Sequence, residues 1–160
     1  MQISKHVWQG LGLAALVAAL DQLSKWIIVA HVMNPPVQIE VTSFFNLVLA
    51  HNRGVSFGMF AAGSELGKWI LVGLALMISG FLVRWLFQSS SPFSIIALGL
   101  ILGGAVGNVI DRVLIGAVVD FLDFHAFGTH WPAFNVADTT IFLGAVGLIF
   151  ESFFSKDEAA

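Results

Sequence analysis

The sequence predicts an all-α integral membrane protein. Four transmembrane helices are expected, with a small β element and an amphipathic loop at one membrane face. Three observations predict this. Hydrophobic residues make up 58% of the 160 and charged residues 11%, whereas a soluble domain carries roughly 25% charged residues. The mean hydropathy is +0.89. Four apolar runs stand at about 7–31, 68–87, 93–114 and 136–154, and a spanning helix needs ~20 such residues. No internal repeat and no linker divides the chain, so a single membrane domain over 1–160 is expected.

The first run, Val7 to His31, is broken by Asp21 and Lys25. It is too long for the ~7–15-residue apolar region of a signal peptide, and no convincing cleavage site follows, so it reads as an uncleaved anchor. Asn34-Pro35-Pro36 stops it. Val37, Ile39 and Val41 then alternate with a strand period, which places a small β element within 37–50. Backbone groups in hydrocarbon must be paired, so that element belongs at the surface. The second run is KWILVGLALMISGFLVRWLF, Lys68–Phe87. Ser90 and Ser91 can cap the third helix, and Pro92 fits its first turn. At ~1.5 Å per residue the third and fourth runs reach ~33 Å and ~28 Å. Asn135 can cap the fourth, with Asp138 at its third position.

Four spans put both termini on one side. Lys5, Arg84 and Lys156 then oppose Arg53, Lys68 and Arg112. The basic residues are balanced, and the positive-inside rule gives no orientation.

A net charge of −3 leaves no basic patch for phosphates, so no nucleic-acid partner is expected. The absence of cysteine excludes disulfides, thiolate metal sites and a cysteine nucleophile. His51, His125 and His130 show no H-E-x-x-H pattern, so no metal site and no cofactor are expected.

The polar residues in and beside the spans need a cause, because ionisable groups there are expensive. Asp21 and Lys25, four apart, read as an internal ion pair that makes the first span tolerable. Gly104, Asn108, Asp111 and Arg112 share one face of the third helix, while Gly103 and Gly107 form a small-xxx-small packing pair. In HNRGVSFGMF, Asn52, Arg53, Gly54 and Phe57 mark a turn at which Gly54 permits positive φ.

The stretch VVDFLDFHAFGTHWPAFNVADTT, Val118–Thr140, holds Asp120, Asp123 and Asp138 among Phe121, Phe124, Phe127, Trp131 and Phe134. Taken singly, Asp138 is a helix-cap acid and Asp120 and Asp123 are loop acids. Taken together, two carboxylates brought close cannot both ionise easily. One keeps a proton, the other becomes a base, and the pair can activate water against an amide. Asp120 and Asp138, each near a helix end, are the natural pair, with Asp123 in reserve. A transporter with an acidic pathway and a non-catalytic scaffold are the competing readings. Against the first, the polar residues cluster at one face rather than the midplane, and no repeat halves are visible.

Five motifs stand in order: DQLSK (Asp21–Lys25), NRGVSF (Asn52–Phe57), GNVIDR (Gly107–Arg112), VVDF (Val118–Phe121) and FNVAD (Phe134–Asp138). In this order, on four spans, the chain closely resembles lipoprotein signal peptidase (signal peptidase II) over essentially its whole length. Ser56 stands where a small residue, often Ala, is expected. The resemblance implies an aspartic endopeptidase of the bacterial inner membrane that cuts prolipoproteins before a diacylglyceryl-modified cysteine. Its catalytic pair would be Asp120 and Asp138. Asn52, Gly54, Asn108, Asp111, Arg112 and Asn135 would surround substrate and dyad, and Asp21 and Lys25 would belong to the supporting set. It further implies cytoplasmic termini, a site near the outer face, membrane lipids as surroundings, and inhibition by globomycin-like compounds.

Overall fold

The computed structural model describes residues 5–54 and 64–154. Val55, Ser56 and Phe57 of the NRGVSF motif lie outside the described residues. Helix α1 runs Lys5–Ile27 and continues through a π-helical turn, Ile28–Val32. Strands β1 (Ile39–Thr42) and β2 (Phe45–Asn52) follow, then α2 (Glu65–Gln88) and α3 (Pro92–Ile115). The chain continues as β3 (Val118–Ala126), β4 (Thr129–His130) and α4 (Val136–Phe154). All four long helices are apolar enough to cross a bilayer. They expose Trp8, Trp26, Leu66, Phe81, Phe142 and Phe153, a surface that water would penalise and lipid does not. The chain is a multi-pass membrane protein.

Local chemistry sets the helix ends. Ser91 caps α3 by accepting the Ser94 N–H at 3.3 Å, with Pro92 in the first turn. Gly116 ends it at φ +78°, a left-handed position that costs glycine little. Helix α2 begins earlier than its apolar run, at Glu65, because Ser64 accepts the Gly67 N–H at 3.0 Å. Helix α3 is the central one and touches α1, α2 and α4. Its Ile95, Leu98 and Leu102 form a buried core with Val7 and Leu86.

Close helix packing rests on missing side chains. A Cβ on Gly103 would lie 2.6 Å from both the Ala14 carbonyl and Val17 Cβ of α1. Gly103→Ala is therefore expected to cost about 1–3 kcal/mol of overpacking, of which alanine's helix propensity returns up to about 1 kcal/mol. Gly73 of α2 faces open space. Thermal unfolding in detergent should show a lower Tm for Gly103→Ala and none of that loss for Gly73→Ala.

The amphipathic stretch after α3 requires a correction. Instead of a loop, Val118–Ala126 is strand β3, antiparallel to β2, in a sheet of order β1-β2-β3-β4. Residues Val118–Phe121 are all buried, so both faces are covered and the two-residue alternation that marks a half-exposed strand is absent. The sheet sits on the end of α1. Val119 and Phe121 pack with Ile28 and Met33, flanked by Ile39, Leu47 and Leu49.

Candidate active site

Alternation along β3 sends Val119 and Phe121 into that core and Asp120 to the opposite face, toward the ends of α3 and α4. Asp120 is 2% exposed. It accepts a hydrogen bond from Asn135 Nδ2 at 2.7 Å and another from the Asn52 side chain. Burial is the main reason its carboxyl is pushed up to about 6. The Asn52 bond opposes that rise, the charge of Asp138 adds to it, and Asn135 and Lys25 oppose it.

Asp138 stands in the first turn of α4. Its N–H donates to Asn135 Oδ1 at 2.9 Å, so Asn135 is the helix cap, as its position before the apolar run suggests. Its carboxylate accepts from Asn108 Nδ2 of α3 at 2.8 Å. Asn135 Nδ2 also reaches Asn108 Oδ1 at 3.3 Å and the Val119 carbonyl at 3.2 Å. Two touching amides thus connect the acids. Each turns its NH₂ end toward a carboxylate, which suits an ionised or shared-proton pair.

Behind them lies a buried ionic group. Lys25 Nζ is 2.8 Å from Asp21 and 2.7 Å from Asp111, and it donates to Asn108 Oδ1 at 3.2 Å. The Asp21–Lys25 ion pair expected from sequence is present, with Asp111 as a second anion. Gly107 belongs here as well as in packing, since a Cβ there would strike the Asp21 carboxylate. Gln22 was not singled out by sequence, although it stands inside DQLSK. It donates to Asp111 Oδ1 at 2.8 Å and to the Gly107 carbonyl at 3.2 Å. Its only signal was proximity to Asp21.

Arg112 donates to the Asn108 carbonyl at 3.2 Å. Its charge acts on Asp138, Asp120 and Asp111, and its buried Nε has no hydrogen-bond partner among the described residues. Gly54 has φ +104° and donates its N–H to Asn52 Oδ1 at 3.0 Å, a turn that closes the end of β2 beside Asp120.

Asp123 falls on the other face of β3. It accepts from Asn46 Nδ2 at 2.9 Å and meets His130 Nδ1 at 2.9 Å. Asn46 first, then His130, hold its carboxyl below the usual range. The structure brings together Asp21, Lys25, Asn52, Asn108, Asp111, Asp120, Asn135 and Asp138, and leaves Asp123 apart. Asp123→Asn should therefore leave the protein's activity within about threefold of wild type, which a steady-state assay of the purified protein can check. His125 stacks on His130 at 4.8 Å. Among the described residues no three His, Asp or Glu side chains converge to hold a metal ion. An apolar cleft of about 410 Å³, lined by Trp131, Phe134, Asp138, Thr139 and Phe142, opens directly beside the Asp138 end of the pair.

Residues 13–154 match the family model described as signal peptidase (SPase) II. The chain belongs to the signal peptidase II family. It is 49% identical over 149 residues to a lipoprotein signal peptidase of Ralstonia nicotianae, covering 90% of this chain and 82% of that protein. It is 43% identical to one of Methylobacterium sp. (strain 4-46), covering 92% and 90%. A solved bacterial membrane enzyme structure at 2.3 Å superposes with a TM-score of 0.82 at 29% identity, covering 100% of this chain and 96% of that one. A second, at 1.9 Å, gives a TM-score of 0.78 at 32% identity, covering 89% and 91%. Membership of signal peptidase II makes the chain a peptidase and gives the buried carboxylates a reaction class to be tested against.

Proposed function

We propose that this protein is an aspartic endopeptidase that removes signal peptides from bacterial prolipoproteins, cutting before the diacylglyceryl-modified cysteine. One observation carries the reading. Asp120 and Asp138 arrive from a strand and a helix start, and the contacting amides of Asn135 and Asn108 bind one acid each. A buried carboxyl pushed up to about 6 beside a second carboxylate supports a division into acid and base.

In this reading Asp120 carries the proton and Asp138 is the base. Asp138 takes a proton from water as the water oxygen attacks the scissile carbonyl carbon. Asp120 gives its proton to the carbonyl oxygen, so the tetrahedral intermediate forms without a full oxyanion. On collapse the C–N bond breaks, Asp138 returns its proton to the leaving amine, and a hydroxyl of the intermediate restores Asp120. No covalent enzyme intermediate forms. Arg112, Asn52 and Gly54 hold the substrate backbone near the pair. The apolar cleft at Trp131 and Phe142 receives an apolar part of the substrate from the bilayer. The sheet and the hairpin over Phe124–Trp131 limit water entry.

The enzyme resides in the inner membrane with both termini cytoplasmic, the dyad near the outer face, and globomycin-like compounds as inhibitors. Four apolar helices put both termini on one side and the polar groups cluster at the sheet end of the bundle; the likeness to signal peptidase II supports assigning that end to the outer face.

The test is digestion of a purified diacylglyceryl-modified prolipoprotein, with product masses read directly. A product that begins at the modified cysteine, and none from the unmodified precursor, is expected. Cleavage elsewhere, or equal cleavage without the lipid, would remove the substrate assignment.

A further inference from the structure

The buried ionic group has a geometry that charge neutralisation alone does not require. Asp111 Oδ2 accepts the N–H of Val119 at 3.1 Å, and Val119 immediately precedes Asp120. Asp21 Oδ1 accepts the N–H of Ala137 at 2.9 Å, and Ala137 immediately precedes Asp138. Lys25 joins the two grips, 2.8 Å from Asp21 and 2.7 Å from Asp111. A continuous bonded path therefore runs from the residue before one dyad acid to the residue before the other. It passes through side chains of α1 and α3 whose hydrogen bonds and ion pairs run to one another and to backbone N–H groups, not to either acid. The parts are buried: Asp21 is 0% exposed, Lys25 4% and Asp111 4%. Gln22 further restrains Asp111 at 2.8 Å. Lys25 also fixes the amide of Asn108. An ammonium can only donate, so it binds Oδ1 and leaves Nδ2 for Asp138.

We infer that Asp21, Lys25 and Asp111 form a yoke that sets the separation and orientation of Asp120 and Asp138, acting as positioning residues through the N–H groups of Val119 and Ala137. This rests on the dyad reading above and assigns a role to side chains that the chemistry does not use directly. The physical motive is that a pair sharing one proton works only over a narrow range of separations. An offset of ~1 Å can cost ~10²-fold in rate. The two acids are carried by elements of different type, β3 and α4, tied at this end by Asn135, by Asn108 and by the backbone bonds of Phe134 with Phe121 and Leu122. A link through the bilayer-embedded helices gives them a common frame.

Charge and position can be separated by substitution. Asp111→Asn keeps an oxygen at the Oδ2 position, where both Val119 and Lys25 bind, and removes one negative charge, its NH₂ falling where Oδ1 meets Gln22. It leaves Lys25 the Asp21 carboxylate, so no charge is orphaned. Asp21→Glu and Asp111→Glu keep the charge and lengthen the arm by one methylene. If the group is a yoke, Asp111→Asn should retain kcat within about fivefold. The Glu variants should then lose roughly 10–100-fold in kcat with KM within about twofold. A group that merely balances charge predicts the reverse order, with Asn the more damaging. A structural role alone predicts that Tm, KM and kcat fall together. Either of these patterns overturns the inference. Where a Glu variant does not keep its fold, Asp111→Ala, which removes the grip on Val119 and leaves Lys25 the Asp21 carboxylate, decides: a kcat loss of about tenfold or more at unchanged KM and Tm supports the yoke, and near-normal kcat sinks it. Asp138→Asn is assayed alongside. If it cleaves normally, the dyad reading itself fails and the yoke falls with it, whereas an inactive Asp138→Asn with the reverse Asn/Glu order rejects the yoke only.

Discussion

Asp138→Asn is expected to lower kcat by about 10²–10⁴-fold, the usual range for a lost general acid–base group, while leaving KM and Tm near wild type. That range corresponds to about 2.7–5.5 kcal/mol of barrier. The fold should survive because the contacts that build the helix start do not need the carboxylate. The residue 138 N–H still donates to Asn135 Oδ1, now at 2.9 Å, and Asn108 Nδ2 still finds an amide oxygen in place of the carboxylate it meets at 2.8 Å. What disappears is the capacity to take a proton from water. Asp120→Asn should be equally damaging for the complementary reason, since Asn135 keeps its acceptor but the proton donor is gone. The measurement is single-turnover cleavage of the diacylglyceryl-modified precursor by folded variants. Near-normal turnover by Asp138→Asn would reduce that residue to an acid favoured at the positive end of a helix. The same result for Asp120 would leave its burial without a catalytic reason.

The helices and the acid pair were legible in the chain for different reasons. Apolar length identifies a span almost regardless of tertiary context, and Ser91-Pro92 announces a helix start through bonds made within one turn. Asn135 and Asp138 were legible together because a cap and its third residue are local. The sheet was legible only at its exposed edge. Strand β1 is largely exposed and shows alternation, whereas β3 is covered on both faces and shows none. Its strand character comes from pairing with β2, for example Ala50 opposite Asp120 and Asn46 opposite Asp123, and no local signal reports that.

The limits at the site have the same origin. Asp123 was indistinguishable from Asp120 as a carboxylate three residues away in a phenylalanine-rich stretch. Once the stretch is a strand, an odd spacing puts the two on opposite faces, and Asp123 pairs with Asn46 and His130 instead. Lys25 was read as the partner of Asp21 because four-residue spacing is a local rule. Its second partner, Asp111, lies across a helix interface, and so do the grips on Val119 and Ala137. Gln22 escaped for that reason too: its bonds run to α3, 85 and 89 residues away in sequence.

The pH dependence should expose which acid holds the proton. In the working form one proton is shared, and burial favours the neutral form of Asp120, up to about 6. Raising the pH through that value removes the proton and leaves two carboxylates facing each other. The kcat/KM profile, which reports the free enzyme, should therefore fall about tenfold per pH unit above its bend near 6. Substrate in the cleft displaces water and strengthens the same desolvation, so the corresponding limb of kcat should lie at higher pH. The Asn52 hydrogen bond stabilises the ionised form and is the largest influence holding the value down. Asn52→Ala should then move the kcat/KM limb upward, even though overall activity falls. A limb that moves downward in Asn52→Ala, or a profile flat between about 5 and 8, would assign the shared proton elsewhere. In the flat case the burial of Asp120 would no longer explain catalysis by an acid–base pair.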